Sequence, residues 1–180
     1  MSVNRGVRRL AFQALFQIDA QHATGGRQNT EKDLRLIRDS LVEEHPGMSV
    51  TELDHAMELA SEAWRDRASA DKVTSELAPT WPARRQAAVD RAILRLAHYD
   101  MTKGPGREKP KVVVNDAVEL AKEFSTEKSP GFVNALLDKV LKRVLGESAA
   151  VQSLPGASVE ASTDERMTDE PRSDRDAPAS

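Results

Sequence analysis

A chain of 180 residues with 39% hydrophobic and 31% charged residues is long enough for one ordinary domain with a real core plus an extension, and the balance fits a soluble, helix-rich protein. Cysteine is absent, which excludes a disulfide framework and thiolate chemistry and suits a reducing cytosol. The formal charge of −3 hides a division: residues 147–180 carry eight acidic residues and three arginines, leaving residues 1–146 mildly basic, with 23 basic against 21 acidic residues.

That excess is too small to indicate nucleic acid by itself, so the distribution of charge has to carry the argument. There is no apolar run of membrane length, and the first ten residues hold three arginines and no hydrophobic segment, so neither a membrane span nor a secretory leader is expected and the protein is read as cytoplasmic.

In chain order, the spacing from Val3 to Gln21 predicts a helix. Val3, Val7, Leu10, Ala11, Ala14 and Ile18 share one stripe, and Arg5, Arg8, Arg9, Phe12, Gln13 and Phe16 share another. Guanidinium groups pair with phosphates and exposed rings stack on unpaired bases, so the second stripe suits single-stranded nucleic acid. The alternative at this point is that the two rings pack beneath a neighbouring helix and the arginines form a solvated rim. Thr24-Gly25-Gly26 ends the helix.

A second helix is expected from about Glu31 to Glu43, burying Leu34, Ile37 and Leu41, and His45-Pro46-Gly47 stops it. Ser49-Val50-Thr51-Glu52 then has the form of a capping box. The helix it starts has a stripe of Val50, Leu53, Met57, Ala60 and Trp64, with Trp64 expected in the core. A short helical piece with Val73 and Leu77 follows, and Pro79-Thr80-Trp81-Pro82 reads as a junction between two helical subdomains, about 1–80 and 81–146.

The helix expected from Arg84 to Asp100 buries Val89, Ala92, Ile93 and Leu96 and shows Arg91 and Arg95 on its other side. After the break at Gly104-Pro105-Gly106, the run Lys111 to Val114 is β-branched enough for a strand. The period continued by Ala117, Leu120, Ala121 and Phe124 predicts a helix instead.

Ser129-Pro130 suits a helix start, with Ser as the cap and Pro at the first helical position. The helix buries Val133, Leu136, Leu137, Val140 and Val144, while Phe132, Lys139 and Arg143 line its edge. Unpaired amides at such a terminus attract phosphate, and Lys128 adds to the field. An ordinary capped helix with a half-buried Phe is the competing reading. Beyond Gly146 the composition cannot bury enough surface to offset ordering entropy, so a disordered acidic tail is expected over 147–180.

No enzyme site is expected. His22, His45, His55 and His98 lack ligand spacing, the glycine pairs lack a phosphate-loop context, and nothing nominates a catalytic carboxylate pair, metal site or cofactor.

The segments Arg8 to Phe16, Val89 to Ala97, Val114 to Lys122 and Phe132 to Lys139, in this order and spacing, resemble the NusB family of transcription antitermination factors over about Arg5 to Val144. The resemblance implies an all-α fold of two packed helical subdomains, about seven helices in all. It implies binding to boxA-like RNA of nascent ribosomal RNA transcripts together with NusE, within an RNA polymerase antitermination complex. Carried onto this chain, the RNA surface would include Arg5, Arg8, Arg9, Gln13 and Phe16, with Lys128, Ser129, Phe132, Asn134 and Lys139, and the helix of Asp90 would contact NusE. Self-association into a homodimer stays open. A reading from another class is a helical protein-interaction module without specific RNA binding.

Overall fold

The computed structural model describes residues 3–23 and 30–152, with side chains to residue 146. Among the described residues there are seven α-helices, two short 3-10 turns and no strand, so the expected all-α fold holds. The helices are α1 (Arg5–Ala23), α2 (Glu31–Glu44), α3 (Val50–Arg65), α4 (Arg67–Leu77), α5 (Ala88–Thr102), α6 (Pro110–Phe124) and α7 (Ser129–Gln152). No described helix is long and apolar enough to cross a membrane. The turn expected at Thr24 to Gly26 lies outside the described residues, as does most of the expected tail.

Local chemistry sets most of the helix starts. Asn4 Oδ1 accepts the Val7 amide at 2.9 Å and so caps α1. Its Nδ2 donates to Glu52 at 3.2 Å, tying that start to α3. The Ser49–Glu52 capping box forms as expected, and Thr30 with Asp33 makes a second one at α2. The hydrogen bonds from Ser49, and then from Asn4, hold the Glu52 carboxyl below the usual carboxylate range. At α6, Pro110 stands in the first turn, where a missing amide proton costs nothing, and the β-branched run after it is helical.

Helix α5 is the axis of the fold. It touches α1, α3, α4, α6 and α7, and accordingly Ala92 to His98 are buried without interruption. Around it, one hydrophobic cluster draws Leu10, Leu15 and Ile18 from α1, Ile37 and Leu41 from α2, and Leu53 and Leu59 from α3. Val113 and Leu120 of α6 and Val133, Leu137 and Val140 of α7 complete it. Trp64 packs against this cluster half-buried, between its neighbours Arg67 and Arg95.

Several expectations are corrected. Val50 is 67% exposed, because it is the first residue after the cap and lies outside the Leu53–Ala56–Ala60–Ala63 core face. Arg84 does not open α5: Ala83–Arg85 forms a 3-10 turn, Gln86 and Ala87 are extended, and α5 starts at Ala88. Arg91 and Arg95, expected on the side of α5 away from its apolar stripe, are covered there and paired. They reach back to α1, where Asp19 accepts from Arg91 at 2.7 Å and from Arg95 at 3.0 Å, while Asp71 of α4 takes Arg95 at 2.7 Å. Burial works against the Arg95 charge, but the two carboxylates outweigh it and hold the guanidinium more firmly protonated. Finally, α7 does not stop at Gly146 but continues to Gln152. A single helical Gly costs only about 1 kcal/mol, and the Ser-Ala-Ala run beyond it favours helix.

Candidate nucleic-acid interface

The expected arginine stripe of α1 divides in two. Arg8 is buried: its Nε donates to Asp100 at 2.7 Å and its Nη1 to Asp116 at 3.0 Å and to the Val3 carbonyl at 2.8 Å. Sequence reasoning put Arg8 on an RNA face; the structure turns it inward, because two carboxylates from α5 and α6 converge where α1 meets them. The Asp100 carboxylate also accepts the Gly106 amide at 2.7 Å. That approach requires glycine, since a Cβ at Gly106 would stand 2.3 Å from Val113 and 2.8 Å from the Asp100 carboxyl carbon.

Arg5 and Arg9 stay at the surface, one helical turn apart, opposite Glu119 and Glu123 of α6, also one turn apart. Arg5 meets Glu119 at 3.2 Å and Arg9 meets Glu123. Lys122, and then Arg5, hold the Glu119 carboxyl below its usual range. The absence of acids on α1 before Asp19 is thus offset by acids that α6 supplies in space.

A ladder of rings runs from Phe124, at the end of α6, along α1. The Arg9 guanidinium lies 5.5 Å from the centre of the Phe124 ring, Phe124 lies 5.0 Å from Phe12, and Phe12 lies 6.3 Å from Phe16. Phe12 is fully in the core, whereas Phe16, Phe124 and Phe132 are half-buried. Gln13 is also half-buried, with its Oε1 2.9 Å from His45 Nε2 at the end of α2.

At the head of α7 the expected cap is replaced by a network. Ser129 is 4% exposed, and its hydroxyl donates to Asp90 at 3.0 Å, while Ser125 donates to the other Asp90 oxygen at 2.7 Å. Ser129 therefore does not present its hydroxyl to a ligand. Asp90, expected at a partner contact, is 7% exposed and spends its carboxylate here. Its position in the first turn of α5 lets it fasten that helix to the start of α7. Both residues position the site from within.

Around this fixed point lie the outer side chains of the α7 start and its first turns. Lys128 is exposed, and its ammonium group has no hydrogen bond or ion pair among the described residues. Phe132 and Lys139 fall within about 20° of each other around α7, Lys128 stands just before the helix with its carbonyl accepting the Phe132 amide at 3.4 Å, and Lys139 Nζ donates to the Leu77 carbonyl at 3.2 Å. Asn134 is exposed, but two residues after Phe132 it lies about 200° further round, on the opposite flank of the buried stripe. The structure thus unites Lys128, Phe132 and Lys139, links Arg9 to them through Phe124 and the Ser125–Ser129 contact, and sets Asn134 apart. Sequence reasoning missed Phe124, whose role depends on Arg9 lying over it, and the neutralising pair Glu119 and Glu123.

Comparison with known proteins agrees with this architecture. The NusB family profile matches residues 5–142. The transcription antitermination protein NusB of Symbiobacterium thermophilum is 35% identical over 156 residues, covering 83% of this chain and 96% of that protein. That of Chloroflexus aggregans is 33% identical over 145 residues, covering 80% and 90%. A structure of T. maritima NusB superposes with a TM-score of 0.62 at 27% identity, over 79% of this chain and 93% of that one. A chain from a crystal structure of antitermination factors NusB and NusE in complex with double-stranded RNA matches with a TM-score of 0.59 at 26% identity, over 77% and 96%. With a family match across most of its length, a shared helical fold and relatives above 30% identity, the chain belongs to the NusB family.

Proposed function

We propose that this NusB-family antitermination protein binds boxA-like single-stranded RNA of nascent ribosomal RNA transcripts jointly with NusE, and through them joins an RNA polymerase antitermination complex. The RNA surface comprises Arg5, Arg9, Gln13 and Phe16 on α1 with Lys128, Phe132 and Lys139 on and before α7, while Asn134 lies on the other flank of α7. Arg8, Ser129 and Asp90 hold that surface in shape.

The observation that carries this reading is the Arg9 guanidinium over the half-buried Phe124 ring, with the exposed Lys128 one turn before the half-buried Phe132. Such pairs suit a strand whose bases stack and whose phosphates need neutralising. The likeness to a chain solved with NusE and RNA supports the choice of partners.

One observation favours the reading as a protein-interaction module: Glu119 and Glu123 already answer Arg5 and Arg9. Exposed pairs of this kind contribute only about 0–1 kcal/mol, so phosphates can displace the glutamates at little cost. Measuring affinity for boxA-like and scrambled oligonucleotides across a salt series, with and without NusE, separates the two. RNA binding predicts preference for boxA, reinforcement by NusE and a log–log salt slope of roughly −0.7 per contacted phosphate. Equal affinity for both RNAs with a flat salt response overturns it.

A further inference from the structure

An exposed tryptophan ring lies outside the surface just described. Of the seven aromatic residues only Trp81 is exposed, at 43%. It stands on the connection from α4 to α5, and its backbone is held on both sides. Its amide donates to the Ala78 carbonyl at 2.9 Å, and its carbonyl accepts from Gln86 Nε2 at 3.1 Å. Ala83, two residues on, donates to Ser75 Oγ of α4 at 3.2 Å. The ring is thus presented to solvent on a rigid turn.

Its surroundings are cationic. The Arg85 guanidinium lies 4.9 Å from the Trp81 ring centre while donating to the Thr80 carbonyl at 3.1 Å. Arg84 is exposed with no ion pair or hydrogen bond among the described residues. Leu77 to Val89 contains no acidic residue, unlike the α1 face, where α6 supplies two.

The turn also continues the α7 track. Lys139 donates to the Leu77 carbonyl, one residue before the Ala78 carbonyl that closes the Trp81 turn. From Phe132 to Lys139 is a rise of about 10 Å, and the Lys139–Leu77 hydrogen bond joins the end of that flank to the connection that carries Trp81 four residues further on.

We propose that Trp81, flanked by Arg84 and Arg85, is a second base-stacking station for the same single-stranded RNA, reached past Lys139. Stacking on an exposed ring is tolerant of base identity, so this station reads the length of the strand and not its sequence. The inference rests on the RNA reading of the α7 face.

The test uses the full chain and a labelled boxA-like RNA, bare or extended by a short adenosine run at its 5′ or its 3′ end. One of the two extensions should tighten binding to the wild type, and Trp81→Ala should lose about fivefold or more in affinity for it while binding the bare RNA almost normally. Trp81→Phe should retain most of the gain, and RNA should quench a component of tryptophan fluorescence that this variant lacks. If bare RNA binds and Phe132→Ala weakens it, but Trp81→Ala leaves both extended RNAs unaffected, the second station is overturned and the primary surface stands. If no RNA binds the wild type, the primary reading fails as well. If Trp81→Ala weakens only NusE binding, the turn is a protein contact and the inference is wrong.

Discussion

Replacing Arg8 by Met should unfold the protein more readily without acting as an RNA-contact mutation. The Arg8, Asp100 and Asp116 side chains are only 6%, 1% and 8% exposed, so Arg8→Met preserves apolar bulk but leaves two carboxylates in one poorly hydrated site. Breaking a buried ion pair costs about 3–5 kcal/mol, chiefly because the abandoned charge stays buried. That is a large share of the roughly 5–15 kcal/mol total stability of a domain. At about 2–4 °C per kcal/mol for a protein of this size, the melting temperature should fall by about 6–20 °C. Adding Asp116→Asn should restore part of the loss, because one of the abandoned charges is then gone. Denaturant titration and calorimetry measure the stability, with RNA affinity measured well below the transition. Arg9→Ala is the comparator: its side chain is 42% exposed, so it should lose RNA affinity with stability changed by less than about 1 kcal/mol. The reasoning is refuted if Arg8→Met is as stable as wild type and loses RNA affinity as Arg9→Ala does.

Gly106→Ala should cost about 1–3 kcal/mol or more by overpacking against Val113 and Asp100. Gly131→Ala in α7, where a Cβ meets nothing within 4 Å, should instead stabilise by about 0.5–1 kcal/mol; denaturant midpoints compare the two. His98 is buried, which pushes its pKa below the usual 6.5 against the opposing pull of Asp66. The unfolded chain then takes up a proton near pH 6.5 that the folded protein resists, so this contribution is intact above pH 6.5 and is lost as pH falls toward the folded value. His98→Gln should therefore lose less stability than wild type between about pH 7 and about pH 5.5; parallel losses in the two proteins would contradict this.

Helix positions were legible in the chain because their causes are local: a 3.6-residue apolar period, the Ser49–Glu52 capping box, and prolines and glycines at the breaks. The period even overrode the β-branched run after Lys111. The NusB resemblance was legible too, in four segments whose residues keep their order and spacing. Tertiary structure decided what each helix face does. A helical wheel groups Arg5, Arg8 and Arg9, but only the arrival of Asp100 and Asp116 from far along the chain separates a buried ion cluster from two surface cations. Likewise Arg91 and Arg95 read only as the side of α5 away from its apolar stripe until Asp19 and Asp71 are brought to them, and Ser129 reads as a cap until Asp90 accepts its hydroxyl. Periodicity reports which residues share a side, whereas burial and pairing depend on which other helix covers that side, and that is set by packing between segments distant in sequence.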